Sequence, residues 1–123
     1  MLRATLPYVD AWNVWYDTTG NTPAGVPPLR AQVDELCREV GRDPAAVERT
    51  VAVLVRLPGA MGRVHGDVGV SPVPALEGST AQMAEALRAY AREGIGHVQL
   101  VLDPITRASI EAMAPVVAAL QTA

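Results

Sequence analysis

The stretch at 79–102, STAQMAEALRAYAREGIGHVQLVL, decides the fold class of this chain. Its first part, 79–93, is predicted to be a helix. Ser79 and Gln82 have the spacing of a capping box, and a Gly-containing segment follows as a stop signal. Its last part, 97–102, is an apolar run of the length of a buried strand. The stretch therefore reads as a helix followed directly by a strand.

The same alternation extends in both directions. Two more strands are predicted at about 11–15 and 49–57, with a helix at about 27–40 between them. Another helix follows at about 106–121, and Pro115 within it is expected to kink or split it. Repeated strand–helix units predict a parallel sheet covered by helices, because parallel strands need crossover connections. The predicted fold class is α/β.

Composition excludes several function classes. The chain has 123 residues, a formal charge of −3 and only 4% aromatic residues, which argues against a nucleic-acid partner. All ten basic residues are Arg, so no Schiff-base lysine or P-loop lysine is present. The single Cys excludes an internal disulfide. With no signal peptide and no long apolar run, the chain is expected to be cytoplasmic and not to bind membranes.

Three motifs, in this order and spacing, carry a resemblance to a known family. They are MLR leading to YVDAWN at 8–13, CREVGRDP at 37–44 followed by ERTV at 48–51, and LRAYAREG at 87–94 running into HVQL at 97–100. This pattern resembles the C-terminal part of luciferase-like oxidoreductases that depend on flavin or deazaflavin. Each motif alone is compatible with many α/β proteins.

The resemblance implies a fold, a function and a cofactor. The family fold is an eight-stranded (β/α) barrel, a TIM barrel, so residues 1–123 would form a single partial domain that supplies its last three strands. The cofactor would be FMN or deazaflavin, and the reaction an oxidoreductase or monooxygenase reaction on a small-molecule substrate. Barrels of this kind usually need about 250 residues. The chain is therefore expected to be inactive alone and to associate with itself or with an N-terminal half.

Site residues are expected at the carboxyl ends of the strands, where such barrels bind their ligands. Four residues are candidates for cofactor binding: Asn13, Arg56, Ser79 and Thr80. Three residues are candidates for lining the substrate cavity: Trp15, Arg63 and His65. The alternatives are packing for the tryptophan, helix capping for Ser79 and Thr80, and exposure to solvent for the arginines and His65. No catalytic residue can be named from the sequence.

Other polar residues are assigned structural roles. Asp103 before Pro104 is expected to cap the last helix, although a strand-end carboxylate could also be catalytic in a full barrel. Cys37 lies on the apolar face of a predicted helix and His97 begins a strand, so both are assigned to structure. Two His and one Cys at wide spacing indicate no metal site. Residues 58–78, rich in Gly and Pro, are expected to form a long flexible loop.

Two other hypotheses remain open. The chain could be a non-catalytic half-barrel that docks onto a partner or onto itself through exposed sheet edges. It could also be a small three-layer α/β domain, which would require helices on both faces of an open sheet.

Overall fold

The structure, a computed structural model, describes residues 1–62 and 72–122. These residues form one open sheet of three parallel strands with four α-helices. The strands are β1 (Ala11–Val14), β2 (Glu48–Arg56) and β3 (His97–Asp103). The helices are α1 (Leu2–Thr5), α2 (Val26–Glu39), α3 (Thr80–Arg92) and α4 (Arg107–Gln121). The predicted α/β class, the three parallel strands and the three long helices are confirmed.

All three long helices pack on one face of the sheet. The strand order β1-β2-β3 follows the chain and both strand pairs are parallel. Because parallel crossovers are nearly always right-handed, strands added in one direction place their connecting helices on the same side. Val26 of α2, Val53 of β2, Met83 of α3 and Val116 of α4 accordingly belong to one core cluster. For the described residues, the three-layer hypothesis with helices on both faces is wrong.

The central and edge strands differ in burial. In β2, the seven residues from Arg49 to Val55 are all buried, because the strand has a neighbour on each side. In β3, only Leu102 is buried, and the other residues are half-buried or exposed. The prediction of a fully buried strand at 97–102 is therefore wrong. Within the described part of the chain, no strand covers the outer side of β3.

The start of α3 matches the prediction in detail. Ser79 Oγ accepts a hydrogen bond from the Gln82 amide at 3.1 Å, and Gln82 Oε1 accepts one from the Ser79 amide at 2.8 Å. This reciprocal pair is a capping box. It satisfies two backbone donors that the helix itself leaves without partners.

The start and interior of α4 correct two predictions. Thr106 Oγ1 accepts a hydrogen bond from the Ser109 amide at 3.1 Å, so Thr106 caps the helix and Asp103 does not. The helix also runs unbroken through Pro115, so the expected split is wrong. Met113 and Val116, on either side of that proline, are buried in the core. Tertiary packing of these side chains offsets the loss of one backbone hydrogen bond.

A smaller cluster of buried residues lies near the start of β2. It contains Leu6, Val33, Cys37 and Val47, and it joins α2 to the segment before β2. Cys37 is completely buried, as expected for a core thiol. No helix among the described residues is long and apolar enough to cross a membrane.

Candidate functional site

The carboxyl ends of β2 and β3 form the part of the molecule where a site was predicted. Arg56 and Asp103 end these strands and are partners in the β2–β3 register. We call this region the C-terminal edge, and define it as Arg56, Asp103, the turn at 57–62 and the start of α3 at 79–80. It is the edge at which parallel α/β folds usually bind ligands.

Arg56 is the exposed cation of this edge. Its backbone amide donates to the Leu76 carbonyl at 2.8 Å, which holds the end of β2. Its guanidinium group has no hydrogen-bond or ion-pair partner among residues 1–62 and 72–122, even though Asp103 lies beside it in the sheet. An arginine without a partner at a strand end can bind a phosphate or carboxylate through two parallel hydrogen bonds.

Asp103 does not pair with Arg56 because its carboxylate binds the backbone of the neighbouring turn. Oδ1 accepts from the Met61 amide at 3.2 Å, and Oδ2 accepts from the Gly62 amide at 2.9 Å. Gly62 has a φ of +91°, a conformation that glycine adopts without strain. Asp103 therefore fixes the turn after β2 rather than facing a substrate.

The predicted residues Ser79 and Thr80 lie at the same edge. Leu76 forms a parallel bridge with Val55, so the predicted loop at 58–78 is not structureless at its end. Three residues after Leu76, Ser79 lies within roughly 10 Å of it by chain length. The capping box uses both the Ser79 hydroxyl and the Ser79 amide. The Gln82 amide donates to the Ser79 hydroxyl and the Met83 amide to the Ser79 carbonyl, so only the amides of Thr80 and Ala81 are suited to an anion at this position.

Asn13 does not join the other predicted cofactor residues. It pairs with Thr50, six residues before Arg56 on β2, and this separation is about 20 Å at the usual rise of a strand. Its Oδ1 accepts a hydrogen bond from Thr50 Oγ1 at 2.8 Å. Asn13 lies apart from Arg56 because β1 is short and ends opposite the start of β2, a register that sequence alone does not reveal.

The three residues predicted to line a substrate cavity have different outcomes. Trp15 follows β1 and is 38% exposed, with its ring centroid 4.9 Å from that of Tyr16. Trp15 is therefore not fully buried, and it is not part of the C-terminal edge. Arg63 and His65 lie outside the described residues.

Asn21 is the polar residue near this edge that sequence reasoning missed. Its Nδ2 donates to the carbonyls of Leu54 at 2.9 Å and Pro74 at 3.0 Å, and its Oδ1 accepts from the Leu54 amide at 2.8 Å. The side-chain amide of Asn21 thus takes the place of the backbone of a neighbouring strand beside β2, in the gap between the end of β1 and Leu76. The signal was the dipeptide Gly20–Asn21, since Asn tolerates the positive φ of 57° seen here.

Tyr90 on α3 has a perturbed pKa, but it lies in the core and not at the edge. Burial raises the pKa of Tyr90 to about 12, and the nearby Thr19 hydroxyl opposes this shift. Thr19 donates its own proton to the Tyr16 carbonyl at 3.1 Å, and Tyr90 Oη makes no hydrogen bond of good geometry. We assign this shift to desolvation within the core.

Replacing Tyr90 by Phe is expected to be neutral or stabilising by up to about 1 kcal/mol at pH 7, because the hydroxyl is buried without a partner. The pKa of Tyr90 in the folded chain, about 12, lies above the ordinary value of 10.0. The contribution of the neutral Tyr90 side chain to the free energy of unfolding is therefore complete below pH 10 and is lost as pH rises toward 12. At pH 11 the wild type should lose roughly 1.4 kcal/mol that Tyr90→Phe keeps. Urea unfolding at pH 8 and pH 11 measures both effects, and equal losses in the two proteins would contradict them.

Among residues 1–62 and 72–122, no three His, Cys, Asp or Glu side chains group in a way that could hold a metal ion. No protein-family model matches the sequence. No curated protein matches it either. The residues that the structure describes therefore define an α/β chain with an open parallel sheet and, at its C-terminal edge, an arginine without a partner among those residues.

Proposed function

We propose that this chain forms the closing strands of a luciferase-like (β/α) barrel and binds the phosphate of FMN or deazaflavin at its C-terminal edge. The observation that carries the proposal is the exposed Arg56 guanidinium at the end of β2, which has no partner among residues 1–62 and 72–122. The sequential strand order and the placement of all three long helices on one face support a barrel, since both are properties of such folds. The remaining strands of the barrel would come from other polypeptide segments.

The residues at the edge suit the phosphate better than the ring of the cofactor. Arg56 supplies a fixed positive charge, and the amides of Thr80 and Ala81 would supply donors at the same edge of the sheet. Asn13, about 20 Å away along the sheet, is not part of this phosphate site. When bound, the cofactor supplies the hydride or oxygen chemistry of the reaction. The chain itself would hold the phosphate, while Asp103 keeps the adjoining turn in place.

A fluorescence titration with FMN and riboflavin tests the phosphate site directly. FMN should bind and riboflavin should bind at least tenfold more weakly, because a charge-assisted contact contributes about 1.5–3 kcal/mol. Arg56→Ala should weaken FMN binding by about tenfold or more and leave riboflavin unchanged. The matched control is Arg38→Ala, which removes an exposed arginine from the C-terminal end of α2. If FMN and deazaflavin both fail to bind, or if Arg38→Ala has the same effect as Arg56→Ala, the proposal is wrong.

A second candidate function, a non-catalytic half-barrel that associates with other chains, is supported by a different observation. Apolar grooves lie on both sides of α4, next to the unpaired edge of β3. Such grooves beside a free strand are typical of interaction surfaces.

A further inference from the structure

The two outer strands of the sheet present free backbone groups in a regular pattern. The Leu57 amide donates to the Asp103 carbonyl, so in β3 the alternate residues Gln99, Val101 and Asp103 bond to β2. The amides and carbonyls of Val98, Leu100 and Leu102 therefore point away from the sheet. These groups form a row to which another strand can bond.

The free side of β1 has the complementary pattern. The Glu48 amide donates to the Asp10 carbonyl, so alternation directs the backbone groups of Ala11 and Asn13 outward. Both edges belong to parallel strands. A β1 strand placed beside β3 in the parallel direction would continue the sheet without a change in its pattern.

Helix α4 limits what can bind to β3. Ile110, Ala114 and Val117 of α4 line a groove together with Leu100 and Leu102 of β3. The helix packs on the face of the sheet and borders the groove next to the outer side of the strand. An extended strand with apolar side chains on the helix-facing side fits such a groove. In β1, Trp12 and Val14 are the helix-facing residues.

Several exposed apolar residues lie near these two edges. Among the described residues, Tyr8 and Trp15 lie before and after β1, and Ile110 and Val117 lie on α4, while Met1, Met61 and Ile105 are exposed elsewhere along the chain. From residue 112 to residue 121, α4 contains no charged side chain. A helix that is apolar on all sides is normally covered on all sides. Both edges are therefore suited to contact with another chain.

The charges beside the two edges are opposite. Asp10 and Asp17, both exposed, lie at the start and end of β1. Arg88 lines the groove near the start of β3, and Arg107 follows its end. Arg88 Nη2 donates to the Ala119 carbonyl at 2.5 Å and Nη1 lies 3.9 Å from Glu85, while its buried Nε has no acceptor among the described residues. Arg107 Nε also pairs with Glu111 at 2.9 Å, and this ion pair is exposed. Parallel pairing would place acid beside base at both ends.

We infer that this chain associates head to tail with a second copy of itself, the β1 edge of one copy binding in parallel beside β3 and α4 of the next. The contact is heterologous, because two different surfaces meet. The inference concerns the outer strand edges and not the C-terminal edge. In the proposed barrel, a second copy would be one of the other polypeptide segments that extend the sheet at these edges.

Light scattering across a hundredfold range of concentration tests this contact with two single-surface variants. Ala11→Pro removes the outward amide of β1, and the double change Ile110→Glu with Val117→Glu places charges on the exposed face of α4. The wild type should exceed the 13.0 kDa of one chain as concentration rises, and each variant alone should stay at one chain. An equimolar mixture of the two variants should form a dimer and nothing larger, because each supplies the surface that the other lacks.

Different results would overturn the inference. A wild type that stays at the mass of one chain excludes self-association. If Ala11→Pro forms a dimer on its own, the contact is instead a symmetric one through α4. Far-UV circular dichroism tests whether both variants are folded. If Ala11→Pro is unfolded, Tyr8→Asp serves as the variant on the β1 side. Neither surface includes Arg56, so FMN binding by the monomeric variants tests the proposed function separately.

Discussion

Arg49→Ala is expected to lower the free energy of unfolding by about 3 kcal/mol, the low end of the range for breaking a buried ion pair. Arg49 is 8% exposed and its Nη2 lies 2.7 Å from Asp34 Oδ1 of α2. Its Nε donates to the Val47 carbonyl at 3.1 Å, and Nη2 donates to the Pro44 carbonyl at 2.9 Å. Removing the side chain leaves these three acceptors without their partner. The low end of the range applies because the Asp34 side chain is 28% exposed and can regain water.

Urea unfolding followed by circular dichroism measures this effect. Arg3→Ala is the matched control, because Arg3 pairs with Glu39 of the same helix at 2.8 Å while both side chains are exposed. That control should change stability by less than about 0.5 kcal/mol. If the two variants lose the same amount, the Arg49 contacts do not join α2 to β2 as we describe.

Asn21→Ala is expected to cost a similar amount, about 3 kcal/mol. The change removes three hydrogen bonds at a position that is 7% exposed, and it leaves the Leu54 amide and the Pro74 carbonyl without these partners, whereas the Leu54 carbonyl keeps its bond from the Leu76 amide at 2.8 Å. It also places alanine at a φ of +57°, which costs about 1 kcal/mol. Without Asn21, β2 should open more readily near Leu54, because no other acceptor among the described residues bonds to the Leu54 amide.

Two further substitutions separate these causes. Asn21→Gly removes the hydrogen bonds but tolerates the positive φ, so it should lose about 2 kcal/mol. Asn21→Asp keeps the acceptor for the Leu54 amide but places a carboxylate oxygen against the Leu54 and Pro74 carbonyls in a buried site, so its loss should equal or exceed that of Asn21→Gly. Hydrogen exchange of the Leu54 amide, faster in Asn21→Ala than in the wild type, reports the local opening directly. Unchanged protection of this amide would be inconsistent with the role of Asn21.

The candidate site was only partly accessible from the sequence. Arg56, Ser79 and Thr80 could be placed at one edge because strand ends and helix starts of parallel folds meet there. The separation of Asn13 from Arg56 could not be read from the sequence, because the number of residues by which β1 and β2 are offset depends on side-chain packing. The role of Asp103 was also missed, since its partners are the backbone amides of a turn more than forty residues away in sequence. Such contacts leave no local pattern.

The sequence by itself determined the class of the fold and the positions of its elements. Periodicity, capping residues and Gly or Pro stops act over a few neighbouring residues, so 79–93 could be read as a capped helix and 49–57 as a buried strand. Only the tertiary structure decided that the helices share one face, that β3 is an edge strand and that Asn21 fills a gap beside β2. Those features arise from contacts between distant segments. Their energies depend on register and burial, which become fixed only when the chain packs.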